Sequence, residues 1–74
     1  MKITYDADAN AAYIYIAESI AAGESVAQTD ALATPGGLGE VILDFDRRGH
    51  LLGIEILGAT GVLPPAILAA ATPI

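Results

Sequence analysis

The chain contains no cysteine and no tryptophan, a single phenylalanine, a single histidine and only three basic residues. Without cysteine there can be no disulfide and no thiolate metal site. One histidine, His50, cannot build a zinc centre unless several carboxylates converge on it. Lys2, Arg47 and Arg48 stand against nine acids, a net charge of −6. That balance argues against nucleic acid as a partner, because such affinity rests on lysine and arginine neutralising phosphates. It permits a small basic partner. The acids are spread singly, so no acidic tail is indicated.

A long unbroken apolar run is also lacking. The longest uncharged stretch, residues 56–74, is interrupted by Gly58, Gly61, Pro64, Pro65 and Pro73. A membrane helix needs roughly 20 mostly apolar residues, and paired prolines in its middle would break it. The opening MKITYD turns charged at once and has no signal-peptide core. The expectation is a soluble cytoplasmic protein with no membrane span.

What is present in quantity is apolar side chain, 54% of 74 residues. A domain this small hides only about 60% of the surface its unfolded chain exposes. Disulfides and thiolate metals are closed to it, so self-association is the expected supplement, and a homo-oligomer is anticipated.

The most regular pattern is EVILDFDRRGHLLGIEIL, residues 40–57. Apolar positions alternate into a polar tetrapeptide and alternate out again, the mark of a hairpin with one buried face. A four-residue loop, Asp46-Arg47-Arg48-Gly49, with glycine at positive φ, pairs Phe45 with His50, Leu43 with Leu52 and Val41 with Ile54. Val41, Leu43, Phe45, Leu52, Ile54 and Ile56 then share one face. A three-residue loop with a bulge at Gly49 would oppose Val41 with Glu55 and mix the faces, so the binary pattern selects four. The opposite face carries Glu40, Ile42, Asp44, Leu51, Gly53, Glu55 and Leu57, with Glu40 opposing Glu55.

A second hairpin is expected from residues 2–6 and 12–17, joined by ADAN, whose Asp and Asn suit a turn. The alternative is a helix, since DADANAAYIYIAESIAA is rich in alanine, but two β-branched and two aromatic residues within six positions favour strand. Alternation puts Tyr13 and Tyr15 on one face and Ile14 and Ile16 on the other. Residues 18–24 read as a connection bending at Gly23. Residues 25–32 are a weaker strand, and TPGGLG at 34–39 is a loop. A strand follows that loop, not a helix amino terminus, which disfavours a phosphate cradle. Pro65 opens a short helix, 65–71, with no charged face, which must lie on the sheet or against another subunit. The fold expected is a single α+β domain, residues 1–74. It has a small antiparallel sheet of four to five short strands in a hairpin meander, a short C-terminal helix and an apolar tail over 58–74.

Taken together, MKITYDADANAAYIYI and VILDFDRRGHLLGIEIL resemble a small prokaryotic family, domain of unknown function 2283. Its pattern is a K-I-x-Y-D opening, an L-Y-I strand, and a V-I-x-D-x-D-x-x-G hairpin running into V-G-I-E-I-L. Lys2, Ile3, Tyr5, Asp6, Tyr13, Ile14, Val41, Ile42, Asp44, Asp46, Gly49 and the run from Gly53 to Leu57 match it. Asn10 and Ala12 depart from it, where an acid and a leucine are more usual. The resemblance implies a small α+β or mainly antiparallel domain and no established activity. It also implies companions among small neighbouring proteins, in an arrangement similar to toxin–antitoxin pairs.

No catalytic residue, cofactor site or metal site stands out. Asp44 and Asp46, two apart at a turn, could hold a cation, but Arg47 and Arg48 occupy the positions where further oxygen donors would be needed. The plainer reading has Asp46 starting the turn and Asp44 solvated. Asp44 and Glu55 on one covered face would form a carboxylate pair with a raised pKa; on an open face they are solvated or paired with Lys2 or an arginine. His50 has no nucleophile in a recognisable context. Tyr5, Tyr13 and Tyr15 are half-buried strand residues, not a stacking platform, since no basic groove accompanies them. Asp44, Glu55 and Tyr13 are the candidate ligand or partner contacts. The leading functional expectation is a non-enzymatic interaction module, self-associating and an antitoxin-like partner of a small basic protein. The rival is a small-ligand or divalent-metal binder using Asp44 and Glu55.

Overall fold

Tyrosine, isoleucine and threonine in alternation favour a pleated, half-buried backbone, and they open the chain as β1 (Lys2–Asp6) and β2 (Ala11–Tyr15) in the computed structural model, which describes residues 1–74. The two strands are antiparallel, with Ile3 opposite Ile14 and Tyr5 opposite Ala12. Asp6 makes the turn by accepting the backbone N–H groups of Asp8 and Ala9 at 3.0 and 3.3 Å. The turn closes on Asn10 at φ 49°, a left-handed conformation that asparagine tolerates better than most residues. β2 stops short of the expected Ala17, because the N–H groups of Ile16 and Ala17 both donate to the Leu52 carbonyl.

The weak strand expected over 25–32 is divided into β3 (Ala27–Gln28) and β4 (Leu32–Ala33). Both pair with β5 (Glu40–Phe45). Thr29 bridges the gap: its N–H donates to the Leu43 carbonyl and its hydroxyl accepts the Leu43 N–H, each at 3.0 Å. The loop before β5 contains a 3-10 turn at Pro35–Gly37.

β5 and β6 (Leu51–Leu57) form the predicted hairpin, with a register two residues from the one expected. The tip is a three-residue loop. Asp46 N–H donates to the His50 carbonyl, Gly49 N–H donates to the Asp46 carbonyl, and Gly49 takes φ 81°. Alone, that loop would mix the two faces. A second irregularity prevents it: Phe45 faces Leu51 while Asp44 faces Gly53, leaving Leu52 as an extra residue in β6. The bulge restores the parity, so Val41 opposes Ile56 and Leu43 opposes Ile54. Glu40 consequently opposes Leu57 and not Glu55, whose partner is Ile42.

The tail contributes α1 (Ala59–Val62), which was not anticipated, then α2 (Pro65–Ala70) at the expected proline, and β7 (Thr72–Pro73). β7 lies parallel to β1, so the sheet is not wholly antiparallel, and it has seven strands where four or five were expected. Its order is β3-β5-β6-β2-β1-β7, with β4 also on β5. The meander is therefore replaced by two hairpins joined along β2 and β6.

Both helices pack on the face that carries Val41, Ile54, Ile56, Ala12, Ile14 and Tyr5, contributing Ala59, Val62, Leu63 and Leu68. No helix is long and apolar enough to cross a membrane. The core is thin: its buried apolar residues are Ala12, Leu52, Ile56 and Ala59, two of them alanines.

Candidate functional site

Cross-strand pairing places Tyr13, Ile42, Asp44, Gly53, Glu55 and Tyr15 on the face of the sheet away from the packed helices. Three of these, Tyr13, Asp44 and Glu55, are the candidate contacts drawn from the sequence, and the fold does bring them together. Tyr13 faces Glu55 across β2 and β6, and its hydroxyl reaches over Gly53 to donate to Asp44 Oδ2 at 2.7 Å. The other oxygen, Oδ1, accepts from Gln28 Nε2 at 2.8 Å.

Asp44 is not the solvated carboxylate the plainer reading supposed. It is only 6% exposed, the one charged side chain in the interior. A buried carboxylate is tolerable only when its oxygens are hydrogen-bonded, and here Tyr13 and Gln28 supply both donors. Burial and the Asp44 carboxylate beside it, with Tyr15 and Glu55 adding to the effect, hold the Tyr13 phenol well above the ordinary tyrosine range. Tyr13 therefore stays a neutral donor to Asp44, and loses that proton only in strong alkali.

Gly53 and Gln28 belong to this network and were missed by sequence reasoning. A Cβ at Gly53 would overlap the Tyr13 hydroxyl and ring, so the phenol can cross β6 only above a glycine. A glycine inside an otherwise regular strand is a signal of such close approach. Gln28 lies in the weakly patterned 25–32 segment and had no signal at all.

Tyr15 and Lys2 complete the face. The rings of Tyr13 and Tyr15 meet edge to face, 4.8 Å between centroids. The Lys2 ammonium lies 4.3 Å from the centre of the Tyr15 ring, within cation–π range. Lys2 thus sits on an aromatic ring, where an ion pair with an acid had been an alternative.

Asp46 takes the role of turn former. Its Oδ1 accepts the N–H groups of Arg48 and His50, each at 2.9 Å, and Oδ2 lies 3.3 Å from His50 Nδ1. The His50 and Arg48 amides, with the histidine ring, hold its carboxyl below the usual aspartate range. His50 is a surface residue, its side chain 66% exposed. An open cleft of about 350 Å³ separates the Gly23 bend from the Arg47–Arg48 tip. It shares no residue with the Tyr13 network. Glu24 there turns back to accept the Ala21 N–H at 2.9 Å. No group of three or more His, Asp or Glu side chains converges anywhere in the molecule.

The chain matches the model of a protein family of unknown function, DUF2283, over residues 2–59. It belongs to that family. The DUF2283 match spans both hairpins and every member of the Tyr13 network, Gln28 included, and ends at the first residue of α1. No curated protein and no solved structure matches the chain.

Proposed function

We propose that this DUF2283 protein is a cytoplasmic, non-enzymatic interaction module that associates with further copies of itself and with a small basic partner. The observation that carries the reading is the disproportion between apolar content and core. With only four apolar residues buried, large side chains stay in solvent around the packed helices, including Leu32 at 51% and Leu38 at 66% exposed. Leu32 lies opposite Val41 beside the core, and Leu38 abuts Gly61 of α1, so both border the helix-covered face. Covering such side chains is worth about 25 cal/mol per Å² of apolar surface. The sheet edges offer less, since β7 ends in proline and β3 and β4 are two residues each, features that discourage edge-to-edge pairing.

The rival use of Asp44 and Glu55 for a divalent cation has less support. Asp44 is buried with both oxygens already accepting, from Tyr13 and Gln28, and no third acid or histidine joins it and Glu55. Multi-angle light scattering tests the favoured reading. A dimer or larger species is expected at micromolar concentration, and Leu32→Glu combined with Leu38→Glu is expected to yield a folded monomer. A native protein that is monomeric throughout that range would end the self-association half of the proposal.

A further inference from the structure

The sheet face away from the helices differs in character from the helix-covered one. Its cross-strand rows run Gln28–Asp44–Gly53–Tyr15–Lys2, then Ile42–Glu55–Tyr13–Thr4, then Glu40–Leu57–Ala11–Asp6. Four carboxylates thus share the face with one ammonium. None of them is paired with a lysine or arginine; the molecule's one ion pair is His50–Asp46. At its centre the Tyr13–Tyr15 pair is rigidly held, because the Tyr13 hydroxyl is tied to buried Asp44 and its ring lies against Gly53. An aromatic wall fixed in advance, beside the unpaired carboxylate of Glu55, is an acceptor for organic cations. The chain's own Lys2 already shows the mode of contact, seated on Tyr15 at 4.3 Å.

We propose that this face receives the lysine and arginine side chains of a basic protein segment, with Tyr15 and Glu55 as principal contacts and Lys2 as an internal occupant that the segment displaces. The inference rests on the interaction reading above and gives its basic partner a surface, separate from the Leu32–Leu38 border used for self-association. Charge complementarity selects the occupant: a protein of net charge −6 attracts a basic chain and repels acidic ones.

The test is an NMR titration of the full-length protein with a short peptide of alternating lysine and leucine, against a glutamate–leucine control. Shifts are expected at Tyr13, Tyr15 and Glu55 with the basic peptide only. Tyr15→Leu and Glu55→Gln should each weaken binding by roughly two- to fivefold, and Lys2→Ala should strengthen it by a similar factor. Glu18→Gln, in the bend after β2 and outside these three rows, should leave the affinity unchanged. Equal loss in Glu18→Gln and Glu55→Gln would reduce the effect to net charge and overturn the proposal, as would shifts centred on Leu38 or no binding. Should Tyr15→Leu unfold, Glu55→Gln and Lys2→Ala still decide it. Peptide binding of this pattern by a strictly monomeric protein would uphold this inference while removing self-association.

Discussion

Tyr13 performs three tasks from one position: it satisfies a buried carboxylate, covers a glycine and buttresses a second aromatic ring. Removing only its hydroxyl isolates the first. Tyr13→Phe leaves Asp44 Oδ2 without its donor, and the cost is expected at about 1–3 kcal/mol in chemical denaturation at neutral pH. Gly53→Ala should cost a similar amount, because the new Cβ must push the phenol aside and break the same bond. The titration sign follows from the raised pKa. The folded state holds the Tyr13 proton more tightly than the unfolded chain, so its stabilisation is complete below about pH 10 and drains away as pH rises further. Denaturation midpoints should fall above that pH in the native protein and fall less in Tyr13→Phe. Alternation alone put Tyr13 and Tyr15 on one face, but no local pattern indicates that Asp44 is buried. That depends on Gln28, sixteen residues away in a segment with almost no signal.

Among the elements, two joints matter most. One is the bulge at Leu52, which corrects the parity that the three-residue tip disturbs; Leu52 is 4% exposed and its carbonyl accepts two N–H groups from the end of β2. The face assignment of Val41, Leu43, Ile54 and Ile56 was legible because it depends only on the pleat. The register was not, because two irregularities that offset one another leave the same binary pattern as none. The second joint is Asn10. Its carbonyl accepts the Ala59 N–H at 2.9 Å, Oδ1 accepts the Thr60 N–H at 3.1 Å and the Tyr5 hydroxyl at 3.3 Å, and Nδ2 donates to Thr60 Oγ1 at 3.0 Å. A turn between β1 and β2 thereby caps α1, fifty residues on. Asn10→Ala loses the side-chain bonds and strains a left-handed backbone, an expected loss of about 2–3 kcal/mol in thermal or denaturant unfolding. Asn10→Gly keeps the backbone free of strain and should recover roughly 1 kcal/mol of it.

For the molecule as a whole, the tail is more than the apolar appendage its composition suggests. α1 and α2 cover one face of the sheet, and β7 closes the β1 edge by pairing with Thr4 and Tyr5, with the Ile74 N–H donating to the Tyr5 carbonyl at 2.9 Å. Deleting residues 72–74 would bare that edge. The shortened chain is expected to keep its sheet but to aggregate more readily at neutral pH, read as rising light scattering over time at fixed concentration. A truncated protein as well behaved as the native one would show that β7 protects nothing.

Which side of each strand is greasy, where the chain must turn and where a proline starts a helix are consequences of neighbours in sequence, and the sequence by itself determined them: both hairpins, the Gly23 and Gly49 bends and α2 at Pro65. The tertiary structure alone decided the joining of the two hairpins along β2 and β6, the pairing of β3 and β4 with β5, the register across Arg47-Arg48-Gly49, the burial of Asp44 and the return of the tail to β1. These turn on contacts between residues far apart along the chain, where alternatives with the same alternation differ by single hydrogen bonds and a few buried side chains.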